Sequence, residues 1–214
     1  MEQIKNVERL AEENSNIAES EKESATEMIA LASHTVKRAK AREMLVKTEI
    51  DLAIIRERLA EKTKKLVEKK EKSKELLKFA DDNIKAEKHQ AIYNSKVAEV
   101  QIKIAEIQRK IARAETEIGE VEVKIANKKF DEAKERGKLA KKQFAYVKLA
   151  KANAPPEKIS RAEETYFKIQ KDLTRFEMDR MELNRNIHIK QNKLADLKKE
   201  LSEKLSEREK IRPA

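Results

Sequence analysis

The stretch VAEVQIKIAEIQRKIARAETEIGEVEVKI, residues 97–125, sets Val97, Val100, Ile104, Ile107, Ile111, Ala114, Ile118, Val121 and Ile125 at alternating steps of three and four. Such steps put every apolar side chain on one stripe of an α-helix; a half-buried strand would alternate in twos. The seam then moves by one residue and continues as Ala126, Phe130, Ala133, Gly137, Ala140, Phe144 and Val147. An inserted residue of this kind predicts a local change of supercoil beside Lys128 and Lys129.

Toward the C-terminus the pattern stops at KANAPPEKIS, residues 151–160, which holds two of the three prolines in the chain. Proline is costly inside a helix and harmless in its first turn. The pair therefore predicts a chain reversal at Ala154–Pro156, with Glu157 placed to favour the positive end of a new helix dipole. Beyond it, Ile159, Ala162, Tyr166, Ile169, Leu173, Phe176, Leu183, Ile187, Leu194, Leu197 and Leu201 resume the alternation, with Arg180 and Lys190 on the two skipped core positions. This is a heptad seam.

Toward the N-terminus, Ala25, Met28, Ala32, Val36, Ala39, Val46, Ile50 and Ala53 form one stripe, and Leu45, Leu52, Ile55, Leu59 and Leu66 form a second, rotated around the helix. Residues 12–24 are poor in apolar positions and are expected either to fray or to form a separate short element, with residues 1–15 an N-terminal extension, a frayed helix. A turn is expected within FADDNIKAE, residues 79–87, where Asp81, Asp82 and Asn83 are capping and turn-forming types. The alternative is an unbroken helix threaded through Leu76, Phe79, Asn83 and Ala86.

The expected fold is all-α: three long antiparallel helices over about 16–79, 83–152 and 157–210, forming one elongated coiled-coil domain over 16–210 with a tail at 211–214. At 1.5 Å per residue the helices would run about 95, 105 and 80 Å. Composition agrees. Charged residues make up 42% of the chain and aromatics 4%, with two glycines, which is the profile of long helices. A chain so charged could be disordered, but regular apolar spacing argues against it. The second stripe of the first helix lacks partners within such a bundle. Leu45, Leu52, Ile55 and Leu59 are therefore candidates for the interface of an antiparallel homodimer.

Little points to catalysis. There is no cysteine, so disulfides, thiolate metal sites and thiol nucleophiles are excluded. Gly119 and Gly137 are isolated, so no glycine loop cradles a phosphate. His34, His89 and His188 are preceded at three residues by Leu31, Ala86 and Arg185, which rules out the Glu-x-x-His pairs of a carboxylate-bridged di-metal bundle. A non-enzymatic protein without cofactor or metal is expected. The sequence holds no run of 18 apolar residues, the length that would span a bilayer. The first residues carry charge with no apolar signal core. A cytoplasmic, membrane-peripheral location is expected, or a periplasmic one if a leader precedes Met1.

Charge suggests the partner. The net charge is +10, which favours polyanions. Residues 62–74, KTKKLVEKKEKSK, carry seven lysines against two glutamates, and residues 124–151 carry ten Lys or Arg against three Asp or Glu. Lysine binds as a point charge, so these runs suit an anionic phospholipid surface or sequence-independent contact with nucleic acid. The aromatic groups for single-strand stacking are missing from the first run.

Three long helices with lysine clusters resemble the BAR domain, in architecture and charge across residues 16–210. Members of that family pair as crescent-shaped dimers and press a basic face on curved anionic membranes. The resemblance implies peripheral membrane binding and curvature scaffolding, with Lys124, Lys128, Lys129, Lys134, Lys138, Lys141 and Lys142 facing lipid, together with Lys62, Lys64, Lys65, Lys69 and Lys70. The other classes are a structural coiled-coil spacer or adaptor with no lipid role, and a non-specific nucleic-acid binder.

Overall fold

The computed structural model describes residues 2–74 and 81–211. Three helices account for nearly all of them: α1 (Glu2–Lys74), α2 (Asp81–Lys151) and α3 (Pro156–Lys210), with no strand among the described residues. The chain is a helical bundle. Helix α1 starts at Glu2 rather than near residue 16, because Val7 and Ala11 are buried and hold its first turns in the packing. Residues 81–87 lie inside α2, not in a turn; the remainder of the expected turn, residues 79–80, lies outside the described residues.

The reversal at the proline pair is built as expected. Asn153 adopts a positive φ of 49°. The N–H of Ala154 donates to the carbonyl of Leu149 at 3.1 Å and that of Asn153 to Ala150 at 3.2 Å. This is a Schellman arrangement, which satisfies the orphan carbonyls at the end of α2. Pro155 then accepts from the N–H groups of Lys158 and Ile159, and Pro156 opens α3, where its missing N–H costs nothing.

The chain divides into two compact units. Unit 1 comprises Met1–Val36 and Glu117–Lys190. Its helices run antiparallel: Glu8 meets Lys151, Asn14 meets Gln143 and Glu21 meets Arg136 across α1 and α2, so the second number falls as the first rises. Across α2 and α3, Glu117 meets Lys190, Lys128 meets Asp179 and Tyr146 meets Tyr166, in the same sense. An apolar cluster of Val7, Leu139, Tyr146, Val147, Tyr166 and Leu173 joins all three helices. Unit 2 comprises Lys37–Thr116 and Gln191–Ala214. Here Arg42 meets Glu115, Glu43 meets Arg113, and Lys70 and Glu71 meet Glu87 and Lys88, again antiparallel.

One regularity in the sequence is stricter than the three-four alternation. Buried alanine returns every seven residues on α1 at 11, 18, 25, 32, 39, 53 and 60, with valine at 46 and 67. On α2 it returns at 91, 98, 105, 112, 126, 133 and 140, with Gly119 and Val147 on the same series. The expected one-residue shift near residue 126 is therefore corrected. The alanine series passes through it unbroken. Ile104, Ile111, Ile118 and Ile125 continue through Glu132 to Leu139 and Tyr146 on a neighbouring buried face. Two adjacent faces, each of period seven, read along one line as a moved seam.

Small side chains let helix backbones approach closely. Gly119 shows how closely: a Cβ built there would stand 2.7 Å from Cγ2 of Val36. At Gly137 the same atom would meet the Ala18 Cβ at 3.7 Å, an ordinary contact.

Candidate functional site

Each exposed lysine of α2 in unit 1 owes its position to what the rest of the helix must bury. The alanine series faces α1, and the series through Ile118, Ile125 and Leu139 is buried beside it. What remains for solvent is the far side, where Lys124, Lys134, Lys138, Lys141 and Lys142 are all exposed. Lys134 and Lys141 are seven residues apart and so lie on one line, with Lys138 beside them.

Lys128 and Lys129 do not join that face. Lys128 is half-buried, donates to Asp179 at 2.8 Å and lies 5.3 Å from the centre of the Phe176 ring. Its hydrogen bond and charge hold the Asp179 carboxyl below its ordinary value. Lys129 is half-buried against Sδ of Met28, at 3.5 Å. Both ammonium groups are committed to neighbouring helices.

The exposed lysines border a groove of about 590 Å³ between α1 and α2. Its floor is Ala18, Ala133, Gly137 and Ala140; Lys22, Lys134, Lys138 and Lys141 form its rim, and Phe130 and Phe144 also line it. The absence of a side chain at Gly137 opens the floor. Lys22 lies 6.0 Å from the Phe130 ring centre, and Phe144 keeps 38% of its surface exposed. Glu19 is the carboxylate among the lining residues, and Lys138 also pairs with Glu135 one turn back. Ammonium groups around an apolar floor attract anions without fixing their orientation, because lysine offers a mobile point charge.

The lysines of α1, Lys62, Lys64, Lys65, Lys69 and Lys70, belong to unit 2 and are exposed, with Lys70 held by Glu87 at 2.9 Å. Leu45, Leu52, Ile55 and Leu59 lie on the same helix and remain 66%, 54%, 59% and 64% exposed. All three histidines are exposed, and among the described residues no group of three His, Cys, Asp or Glu could hold a metal ion. No described helix is long and apolar enough to cross a membrane.

The two skipped core positions of α3 also find their reason. Arg180 lies 3.2 Å from a carboxylate oxygen of Glu132, which is only 3% exposed, as an ion pair without hydrogen-bond geometry. Arg136 reaches the same Glu132 and also Glu21 and Glu177. Lys190 donates to Glu117 at 2.6 Å. Sequence reasoning located these breaks on α3 but not their partners. A glutamate at 132, on the period-seven series of Ile118, Ile125 and Leu139, is the signal that finds the partner of Arg180. The sequence matches no family model and no curated protein.

Proposed function

We propose that the chain is a non-enzymatic scaffold that adheres peripherally to anionic membrane surfaces through the exposed lysine face of α2 in unit 1. The observation that carries this reading is the shared face of Lys124, Lys134, Lys138 and Lys141 beside a groove with an apolar floor. Lysines near an anionic surface each contribute about 1 kcal/mol. The exposed edge of Phe144 offers apolar contact at the same place. Of the twelve lysines that the resemblance nominates, Lys128 and Lys129 contribute least, since each is turned into the bundle.

The test is co-sedimentation with phosphatidylserine-containing and with neutral vesicles, beside a DNA gel shift at matched salt. Wild type is expected to pellet with anionic vesicles at low salt and to be released as screening shortens from about 10 Å at 0.1 M to about 3 Å at 1 M. Lys134→Glu with Lys141→Glu is expected to weaken binding by more than about tenfold. The same charge change at the exposed Lys198 and Lys199 should leave it nearly intact. Equal loss from both pairs would mean that net charge alone is read. DNA binding without vesicle binding would move the function to nucleic acid.

A further inference from the structure

Gly119 is explained by its closeness to Val36, but packing gives Gly137 no such reason. Its φ is not positive, and within 4 Å a Cβ there would meet only the Ala18 Cβ, at 3.7 Å. Alanine would fit and would suit a helix interior better. What the glycine leaves is a notch. Phe130, Gly137 and Phe144 follow one another at seven-residue steps, so two phenyl rings stand on one line of α2 with a gap between them. Both rings line the groove of about 590 Å³ in unit 1, which Ala18, Ala133 and Ala140 floor. That volume falls in the range of small-molecule sites. The rings are fourteen residues apart, about 21 Å of helix, and one chain in half a bilayer core reaches about 15 Å.

We propose that this groove binds one anionic single-chain lipid of the fatty-acid type, its acyl chain on the alanine floor and its carboxylate among the rim lysines. Charge selects the head. Lys134 and Lys141 lie three residues before and four after Gly137, which makes them its neighbours on the helix surface. Both are exposed, and among the described residues neither is ion-paired. Lys22 stands on the α1 side, near the Phe130 ring. Lys138 is shared with Glu135, and Glu19 is the carboxylate among the lining residues, on α1. The balance is positive, and the head belongs on the α2 rim, away from Glu19. A facing helix is a poorer occupant. It needs a row of holes, and here phenyl rings stand on the line one heptad to either side of a single gap. The inference rests on the lysines of the membrane reading and deepens it, since the groove takes one lipid molecule rather than a surface; the glycine separates the two.

The test is calorimetric titration of the full chain with dodecanoate, below its micelle concentration and at low salt, beside acetate and dodecyltrimethylammonium. One dodecanoate per chain is expected to bind, with acetate and the cation weaker by at least about tenfold. Lengthening the chain from octanoate to dodecanoate should tighten binding by up to about fourfold per methylene. Gly137→Leu fills the notch and should weaken dodecanoate by at least about tenfold at unchanged helicity. The same variant should still pellet with anionic vesicles, because every lysine remains. Gly137→Ala, whose methyl group meets Ala18 at ordinary contact distance, should weaken dodecanoate by about two- to fourfold. Lys134→Gln with Lys141→Gln should weaken it by about tenfold. A wild type that ignores dodecanoate, or takes acetate or the cation equally well, would overturn the proposal. So would a Gly137→Leu or Gly137→Ala chain that binds dodecanoate undiminished. Dodecanoate binding without vesicle pelleting would support the groove and overturn the membrane reading alone.

Discussion

The two glycines of this chain look alike in sequence and are opposite in structure. Each lies inside a helix, where glycine costs about 1 kcal/mol against alanine. Gly137→Ala adds a methyl group at ordinary contact distance from Ala18, so it is expected to stabilise the fold by up to about 1 kcal/mol. Gly119→Ala drives the same methyl onto Val36, whose branched side chain has little freedom to turn aside. Overpacking of that kind costs about 1–3 kcal/mol, so the net change is expected to destabilise. Thermal unfolding should move the two variants in opposite directions, by about 2–4 °C per kcal/mol at this chain length. Val36→Ala should rescue the Gly119 variant. Glu43 makes a second case. A hydrogen bond from Arg113, assisted by the charges of Arg113 and Arg109, lowers its carboxyl below the ordinary 4.5. A depressed folded value means that the unfolded chain takes up the proton first. The stability it contributes is present above about pH 4.5 and is lost as pH falls through the folded value. Glu43→Gln should lower stability at neutral pH and flatten the acid limb of an unfolding titration.

At the scale of elements, the end of α2 rests on one unusual backbone angle. Asn153 tolerates the left-handed region better than residues other than glycine. Asn153→Ala is expected to cost about 1 kcal/mol, while Asn153→Gly should hold or gain. Urea titration would separate them, and equal loss from both would show that the asparagine side chain, not its φ, matters. This reversal was legible in the sequence because proline acts locally; so was the α3 seam, down to its two interrupted positions. The alanine series was equally visible but was hidden by treating alanine as one more apolar residue. Period and size carry separate information: period says which face is buried, size says how near the partner comes. The candidate site divides along the same line. A run of charge marks Lys134, Lys138 and Lys141 together with Lys128 and Lys129. Only the packing of the neighbouring helices separates exposed ammonium groups from those bound to Asp179 and lying against Met28.

For the whole molecule, stability and binding are expected to be linked. If the groove of unit 1 holds a fatty-acid-type anion, the midpoint of thermal unfolding rises with ligand concentration, because binding draws on the folded state alone. Calorimetry over a hundredfold range of dodecanoate checks this, and an unchanged midpoint would separate folding from binding. The alanine seam has a consequence of another kind. Identical marks at identical intervals make a ruler without numerals, and one rod slid along the other by a single mark finds almost every tick aligned again. In unit 1 that slide would carry Val36 from Gly119 to an alanine, whose methyl has no room at so close an approach, and would part Asn14 from Gln143. The irregular marks are therefore the numerals, and a chain stripped of them would keep its helices while losing count of where they meet.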